Sequence, residues 1–294
     1  MKNYLSINSP IPSFNKVLNV PGDKSLSIRW VLLASQAIGK SKAYNLLESD
    51  DVISTIVSMR KLGVEILKKN GYYEINGVGL SGFRHKNNLH INAGNSGTFA
   101  RLLCGTLAGN IKNVKVTGDS SLSKRDFSRV VKPLELFGIN IKTKKNKLPI
   151  TITGSKYLRP IFYKEDKGSA QVKSAILLAS LNTPGQTIVK SKISRNHTEL
   201  MFKNCLKIPL KLKKYKNYET IKVEGKTNYK GFNYKIPGDI SSAAFFIALT
   251  ALANKSSLKM KNVNYNKSRT GIIEILKKMK AKIRITNIKN YKGE

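Results

Sequence analysis

Apolar positions along this chain recur in two alternating patterns. Trp30-Val31-Leu32-Leu33-Ala34, Leu102-Leu103-Cys104, Ala175-Ile176-Leu177-Leu178-Ala179 and Phe245-Phe246-Ile247-Ala248-Leu249 are apolar almost all round, which predicts helices buried on every side. Between them lie one-sided stretches: Val52, Ile56, Met59 and Leu62 fall at helical spacing among polar residues, as in an amphipathic surface helix. The one-sided helices end in similar phrases, Arg60-Lys61-Leu62-Gly63-Val64, Glu135-Leu136-Phe137-Gly138-Ile139, Asn204-Cys205-Leu206-Lys207-Ile208 and Lys278-Met279-Lys280-Ala281-Lys282. Each is followed by a β-like run such as Tyr73-Glu74-Ile75 or Ile150-Thr151-Ile152.

Every buried helix opens on a Gly-led turn. The turns are Gly22-Asp23-Lys24-Ser25, Gly94-Asn95-Ser96-Gly97-Thr98, Gly168-Ser169-Ala170-Gln171 and Gly238-Asp239-Ile240-Ser241, and their leading glycines stand 72, 74 and 70 residues apart. Such regularity indicates one supersecondary unit copied along the chain. The unit reads strand, Gly turn, apolar helix, strand, polar turn, amphipathic helix and two strands, a β-α-β-α-β-β repeat of about 70 residues. One buried helix per unit with strands wrapped outside gives an α/β fold whose core is helical and whose sheets lie around it. Helix N-termini with unsatisfied N–H groups hold anions, so the repeat predicts several anion sites.

Composition adds bounds. A length of 294 residues suits one large or two medium domains, and 40% hydrophobic content is enough to fold. No linker or low-complexity segment interrupts the pattern. Met1 to Phe14 holds a single Lys and no apolar run of signal-peptide length, and the longest apolar stretch, Ala243 to Ala253, is too short to span a bilayer. A soluble, cytoplasmic protein is expected. Cys104 and Cys205 lie in apolar helical patterns without CxxC or His-rich partners, so they read as buried thiols and not as a disulfide or zinc site. The net charge of +36 suggests a polyanion partner, but it comes mostly from Lys spread over every kind of element, a pattern of solvated surfaces. The few arginines say more. Arg29, Arg101, Arg125, Arg195 and Arg269 sit inside or beside the Gly turns or similar phrases, and Arg suits bidentate recognition of carboxylate and phosphate.

Within Pro21-Gly22-Asp23-Lys24-Ser25-Leu26-Ser27-Ile28-Arg29, Ser25 and Arg29 share one helix face beside Lys24. A cation, a hydroxyl and a guanidinium then meet at one helix start as a compact oxyanion site. The GxxxxGK[ST] spacing of a nucleotide-binding loop is absent, so ATP binding has no support. Asn95-Ser96-Gly97-Thr98 with Arg101 makes a second crowded turn, where glycines let backbone N–H groups approach a ligand. Lys124-Arg125, and Ser169-Ala170-Gln171 with Lys173, add further donors. Asp23, Asp119 and Asp239 sit where helix capping is the expected role.

Together these phrases resemble the EPSP synthase (3-phosphoshikimate 1-carboxyvinyltransferase) family, and its second bacterial class more than its first. The resemblance rests on Pro21-Gly22-Asp23-Lys24-Ser25, Asn92-Ala93-Gly94-Asn95-Ser96-Gly97-Thr98, Ser121-Leu122-Ser123-Lys124-Arg125, Ser169-Ala170-Gln171-Val172-Lys173-Ser174-Ala175 and Pro237-Gly238-Asp239-Ile240-Ser241-Ser242-Ala243. His197-Thr198-Glu199 and Ser268-Arg269-Thr270-Gly271 extend it, from about Val20 to Ile283. It implies two inside-out α/β barrel domains, each of three repeat units, with residues 21–234 forming the complete first domain. Residues 1–20 and 235–294 would then belong to a second domain of which about one unit is present, exposing the apolar helix around Phe245 and Phe246.

The implied reaction moves the enolpyruvyl group of phosphoenolpyruvate to the 5-hydroxyl of shikimate 3-phosphate, a step toward chorismate and aromatic amino acids and the target of glyphosate. By matching motifs, Lys24 would touch both substrates and serve catalysis, and Ser25 and Arg29 would hold the shikimate carboxylate and ring. Ser169, Ala170 and Gln171 would meet the shikimate 3-phosphate side, and Gly97, Arg125 and Gln171 the phosphoenolpyruvate end. Neither metal nor organic cofactor, membrane nor specific nucleic acid is expected, and the full-length enzyme is expected to be a monomer. The family's proton-transferring carboxylates, with a further Lys and two further Arg, would lie in later units, so this chain is expected to be inactive alone. Ile28, Asp126 and Asn196 depart from the usual polar residue, Pro and Asp at their places. Two other classes compete: the sister transferase acting on UDP-N-acetylglucosamine, whose reactive Cys lies on a flexible loop, unlike Cys104, and a basic nucleic-acid-binding protein, for which no RRM-like pattern of aromatics is present.

Overall fold

The computed structural model describes residues 12–294. In chain order its elements are β1 (Asn15–Asn19), α1 (Lys24–Ser35), β2 (Ile38–Tyr44), α2 (Asp50–Lys61), β3 (Glu65–Lys69), β4 (Tyr72–Val78), β5 (Leu89–Asn92), α3 (Gly97–Thr106), β6 (Val114–Thr117), the single turn α4 (Ser120–Ser123), α5 (Ser128–Leu136), β7 (Asn140–Lys144) and β8 (Lys147–Thr153). There follow β9 (Phe162–Glu165), α6 (Ala170–Leu181), β10 (Gln186–Lys192), α7 (His197–Met201), β11 (Leu210–Lys214), β12 (Tyr218–Glu224), β13 (Asn233–Lys235), α8 (Ile240–Leu252), β14 (Ser257–Lys261) and α9 (Gly271–Lys278). They cluster into two units, one of Gly22–Ile236 with Asn290–Glu294, the other of the residues up to Pro21 with Pro237–Lys289. Asn290–Glu294, expected with the second domain, thus group with the larger unit. The reason is local: Tyr291 packs its ring 5.6 Å from that of Tyr234, and Glu294 Oε1 lies 2.6 Å from His197 Nδ1.

In the larger unit one sheet order occurs three times: β13-β2-β4-β3, β5-β6-β8-β7 and β9-β10-β12-β11. In each, the leading strand is parallel to the next and the remaining pairs are antiparallel. The inward face of every strand follows from its period-2 pattern; in β12, Glu219, Ile221 and Val223 are buried while Lys222 and Glu224 point out. The apolar helices α1, α3 and α6 fill the interior, with Trp30, Leu32, Leu33, Phe99, Leu102, Leu103, Ile176 and Leu177 buried in one continuous core. α3 and α6 approach backbone to backbone, because a Cβ on Gly105 would stand 2.0 Å from the carbonyl oxygen of Ala175. The first copy takes its leading strand from far along the chain, Asn233–Lys235 pairing with Lys42–Tyr44. Its sequence neighbour β1 pairs instead with β14, Asn15–Asn19 against Ser257–Lys261.

Two local departures have physical causes. The third one-sided helix is short, as α7 passes into a π-helical turn over Phe202–Leu206 and ends at Lys207 in the left-handed conformation, φ 57°. After α9 the expected pair of strands does not form: Ile283 and Ile285 alternate, but they pack against the small core of Val20, Ile240, Ala243 and Ile273 without a ladder partner among the described residues.

That core belongs to the smaller unit, where α8 is the exception to the buried-helix pattern. Only Ile240 and Ala243 of α8 are buried, whereas Phe245 and Leu252 are 79% and 87% exposed. A two-stranded sheet and α9 provide too little surface to cover a helix that is apolar all round. Among the described residues no helix is long and apolar enough to cross a membrane.

Candidate functional site

The three buried helices of the larger unit start alike. Asp23 accepts a hydrogen bond from the Leu26 N–H at 3.0 Å, Ser96 from Phe99 at 3.3 Å and Ser169 from Val172 at 3.4 Å. Each polar residue before the apolar run is therefore an N-cap, and the first turn of each helix keeps its positive dipole end. Asp119 caps α4 in the same manner and Asp239 caps α8, so all three turn aspartates act as the capping pattern predicts. Glu165 adds a carboxylate below the third turn, accepting from the Ser169 N–H at 2.9 Å.

Side chains then tie these starts together. Arg101, on α3, donates to Gln171 Oε1 on α6 at 3.0 Å, and Gln171 Nε2 donates to Thr98 Oγ1 at 2.9 Å. Arg101 also donates to the carbonyl of Asp126 at 3.2 Å and lies over the Phe127 ring, 4.9 Å from its centre. Arg125 donates to Asn95 Oδ1 at 2.9 Å, and Asn95 in turn donates to Asp119 at 2.6 Å. The predicted trio of Gly97, Arg125 and Gln171 is thus gathered around one helix start. A Cβ on Gly97 would stand 2.9 Å from Nη1 of both Arg101 and Arg125. Two guanidinium groups flank a position with no side chain, and burial together with the charge of Arg125 lowers the Arg101 pKa from its ordinary value. Like charges held this close, on a helix N-terminus, form a cradle for a compact anion.

On the neighbouring helix, Lys24 is exposed at the first position of α1 and pairs with Asp51 at 2.9 Å, a contact that solvent weakens. Ser25 is half-buried and lends its carbonyl to Arg29 at 3.0 Å. Arg29 is buried and reaches across to α6 and α7, donating from Nη2 to Ser174 Oγ at 2.9 Å and from Nε to Thr198 Oγ1 at 2.8 Å. Burial lowers its pKa to about 10, with Glu199 and Asp23 acting in the opposite sense. Helix α6 therefore receives one arginine from each side, Arg101 at Gln171 and Arg29 at Ser174. Ser169 and Ala170 stand half-buried at its start.

Lys173 is a correction. The sequence offers it as a further anion donor, yet it is fully buried, hydrogen-bonded to Glu219 at 2.5 Å and ion-paired with Glu199 at 2.6 Å. Burial acts to lower its pKa, but the two carboxylates prevail and hold it above the ordinary amine value. Lys173 stands two residues beyond Gln171 and on the core side of α6, so its partners come from β12 and α7. Cys104 is also buried, and its thiol is pushed up to about 12 by that burial, which disfavours the thiolate near neutral pH. Among the described residues no three His, Cys, Asp or Glu side chains gather as metal ligands. The sequence places Thr98 and Arg101 in a crowded turn without assigning either a substrate, and it assigns nothing to Ser174 or Thr198. Three of these lie inside the quoted phrases, but only the packing of α3, α6 and α7 against α1 shows what they hold.

Comparison with known proteins gives a consistent result. The family model described as EPSP synthase (3-phosphoshikimate 1-carboxyvinyltransferase) matches residues 9–292. The chain is 40% identical over 276 residues to a 3-phosphoshikimate 1-carboxyvinyltransferase of Streptococcus mutans, covering 92% of this chain and 62% of that protein. It is 42% identical over 280 residues to one of Endomicrobium trichonymphae, covering 95% and 64%. In three dimensions it resembles the EPSP synthase of Acinetobacter baumannii with a TM-score of 0.84 and 38% identity, covering 96% of this chain and 63% of that one. The chain thus spans less than two thirds of the length of these relatives.

Proposed function

The chain belongs to the EPSP synthase family, and from that premise we propose that it binds shikimate 3-phosphate and phosphoenolpyruvate for enolpyruvyl transfer. In that reaction the 5-hydroxyl oxygen forms a bond to C2 of phosphoenolpyruvate while its proton is removed and the methylene carbon is protonated. The tetrahedral adduct then loses phosphate and a methyl proton, regenerating the carbon–carbon double bond. Every species on this path is multiply anionic, so preorganised cations and helix dipoles are the groups such chemistry needs.

The observation that carries the reading is the double arginine bridge onto α6. Arg29 at Ser174 and Arg101 at Gln171 bring two cations onto the first turns of one helix, an arrangement suited to two anionic substrates that must touch. In this reading Ser25, Arg29, Ser169, Ala170 and Gln171 contact shikimate 3-phosphate. Gly97 and Arg125 contact phosphoenolpyruvate, with Gln171 between the ligands and Lys24 reaching both. Asp23, Asp119 and Asp239 are engaged as helix caps, so none of them is assigned the proton transfers. The proposal carries with it a cytoplasmic setting and a monomeric enzyme. Burial of Cys104 speaks against the sister transferase with its loop cysteine.

Calorimetric titration of the chain with shikimate 3-phosphate tests the proposal. Lys24→Ala and Arg29→Ala should each weaken binding by about 1.5–3 kcal/mol, the scale of hydrogen bonds to charged groups. Affinity unchanged by both substitutions would remove α1 from the site.

A further inference from the structure

Arg29 is held by three elements at once. Its Nε donates to Thr198 Oγ1 on α7, its Nη2 to Ser174 Oγ on α6 and its Nη1 to the Ser25 carbonyl one turn earlier on α1. A guanidinium has five N–H groups in a rigid planar fork. Nε and Nη2 make up one edge of that fork, and it is filled by two hydroxyls that are themselves 2.7 Å apart. Nη1 gives one N–H to the Ser25 carbonyl. One N–H on each terminal nitrogen remains, and this end-on pair matches the two oxygens of a carboxylate.

The chemistry of the holders matters as much as their geometry. A carboxylate placed against Arg29 would orient it but would also neutralise it. Hydroxyls orient it and leave the full positive charge for a ligand. Glu199, the carboxylate that acts most strongly on Arg29, is engaged by Lys173 at 2.6 Å. Ser174 and Thr198 are both sealed from solvent, so no water competes for the occupied edge.

Resting on the function proposed above, we propose that Ser174 and Thr198 are positioning residues. Their paired hydroxyls lock the Arg29 guanidinium with its end-on edge presented to the carboxylate of shikimate 3-phosphate. Neither residue touches the substrate; each acts through Arg29.

Thr198→Val keeps the shape and removes the acceptor, whereas Thr198→Ser keeps the hydroxyl. The intact chain and both variants would be titrated with shikimate 3-phosphate and with an analogue lacking the ring carboxylate. The Arg29 Nε–H would be followed by nitrogen-15 NMR. Thr198→Val should bind shikimate 3-phosphate about tenfold more weakly or worse, and Thr198→Ser within about threefold of the parent, as expected for one hydrogen bond to a charged group. The analogue should bind all three proteins alike, and the Nε–H should exchange slowly in the parent and Thr198→Ser but fast in Thr198→Val. Equal losses for both ligands would reduce Thr198 to a purely structural role and overturn the proposal, as would unchanged affinity in Thr198→Val. An Nε–H signal indifferent to Thr198 would overturn the clamp whichever ligand binds. If the NMR behaves as expected but the parent chain does not bind shikimate 3-phosphate, the clamp stands and the functional reading, with its carboxylate ligand, falls.

Discussion

A hydrogen atom at position 97 is what lets two arginines face the same helix start. Any side chain there meets Nη1 of Arg101 and of Arg125 at 2.9 Å, closer than real Cβ contacts come, although both are the far ends of flexible side chains. Gly97→Ala should therefore fold normally while pushing the guanidinium groups apart by a few tenths of an ångström. Its cost should fall on whatever anion they clasp, and on a bulkier competitor such as glyphosate at least as much as on phosphoenolpyruvate. Competition titrations of the two ligands in the presence of shikimate 3-phosphate measure this. Glyphosate binding untouched by the methyl group would mean that this turn does not face the ligand. The sequence marks Gly97 by its place in a crowded turn; it does not reveal Arg101 as its second neighbour, because that contact needs the rotamer that Phe127 and Gln171 impose.

Among the elements, α6 is the one on which the larger unit turns. It touches α3 through Gly105, receives Arg29 from α1, and sends Lys173 between Glu199 of α7 and Glu219 of β12. The lysine–carboxylate cluster is out of water, so its members are valuable only as a set. Removing one charge leaves the others uncompensated. Lys173→Met should cost about 3–5 kcal/mol of stability in a urea titration, and adding Glu199→Gln with Glu219→Gln should recover part of that loss. A single substitution with an unshifted midpoint would show that the buried charges are solvated by some other route. Three residues separate Ser169 from Lys173, and the periodicity of an all-apolar helix gives no sign of which polar positions face the ligand and which face the core.

Across the whole molecule, the two units differ in how well their helices are covered. α1, α3 and α6 are enclosed by three sheets of the same order, whereas α8 presents Phe245 and Leu252 to solvent. A contiguous apolar surface of this kind drives self-association, even on a chain whose net charge is +36. The chain 1–294 should aggregate on concentration, and Phe245→Ser with Leu252→Gln should raise its solubility without changing its affinity for shikimate 3-phosphate. Light scattering across a concentration series checks this. Equal scattering from both proteins would place the association surface elsewhere.

The repeat itself was legible in the chain. Apolar runs, capping residues and Gly turns are local signals, each set by the conformational preferences of a few consecutive residues, so the β-α-β-α-β-β unit and the capped Gly turns that open its buried helices could be read without coordinates. Contacts between copies are another matter. That Asn233–Lys235 and not β1 leads the first sheet, and that Lys173 turns inward to Glu219, depend on parts of the chain far apart in sequence; Ser174 and Thr198, which share Arg29, stand 145 and 169 residues from it. Hydrophobic burial draws the helices together without specifying which polar atoms meet. Only the close packing of helix on helix decides which donors are spent within the protein and which remain for a ligand.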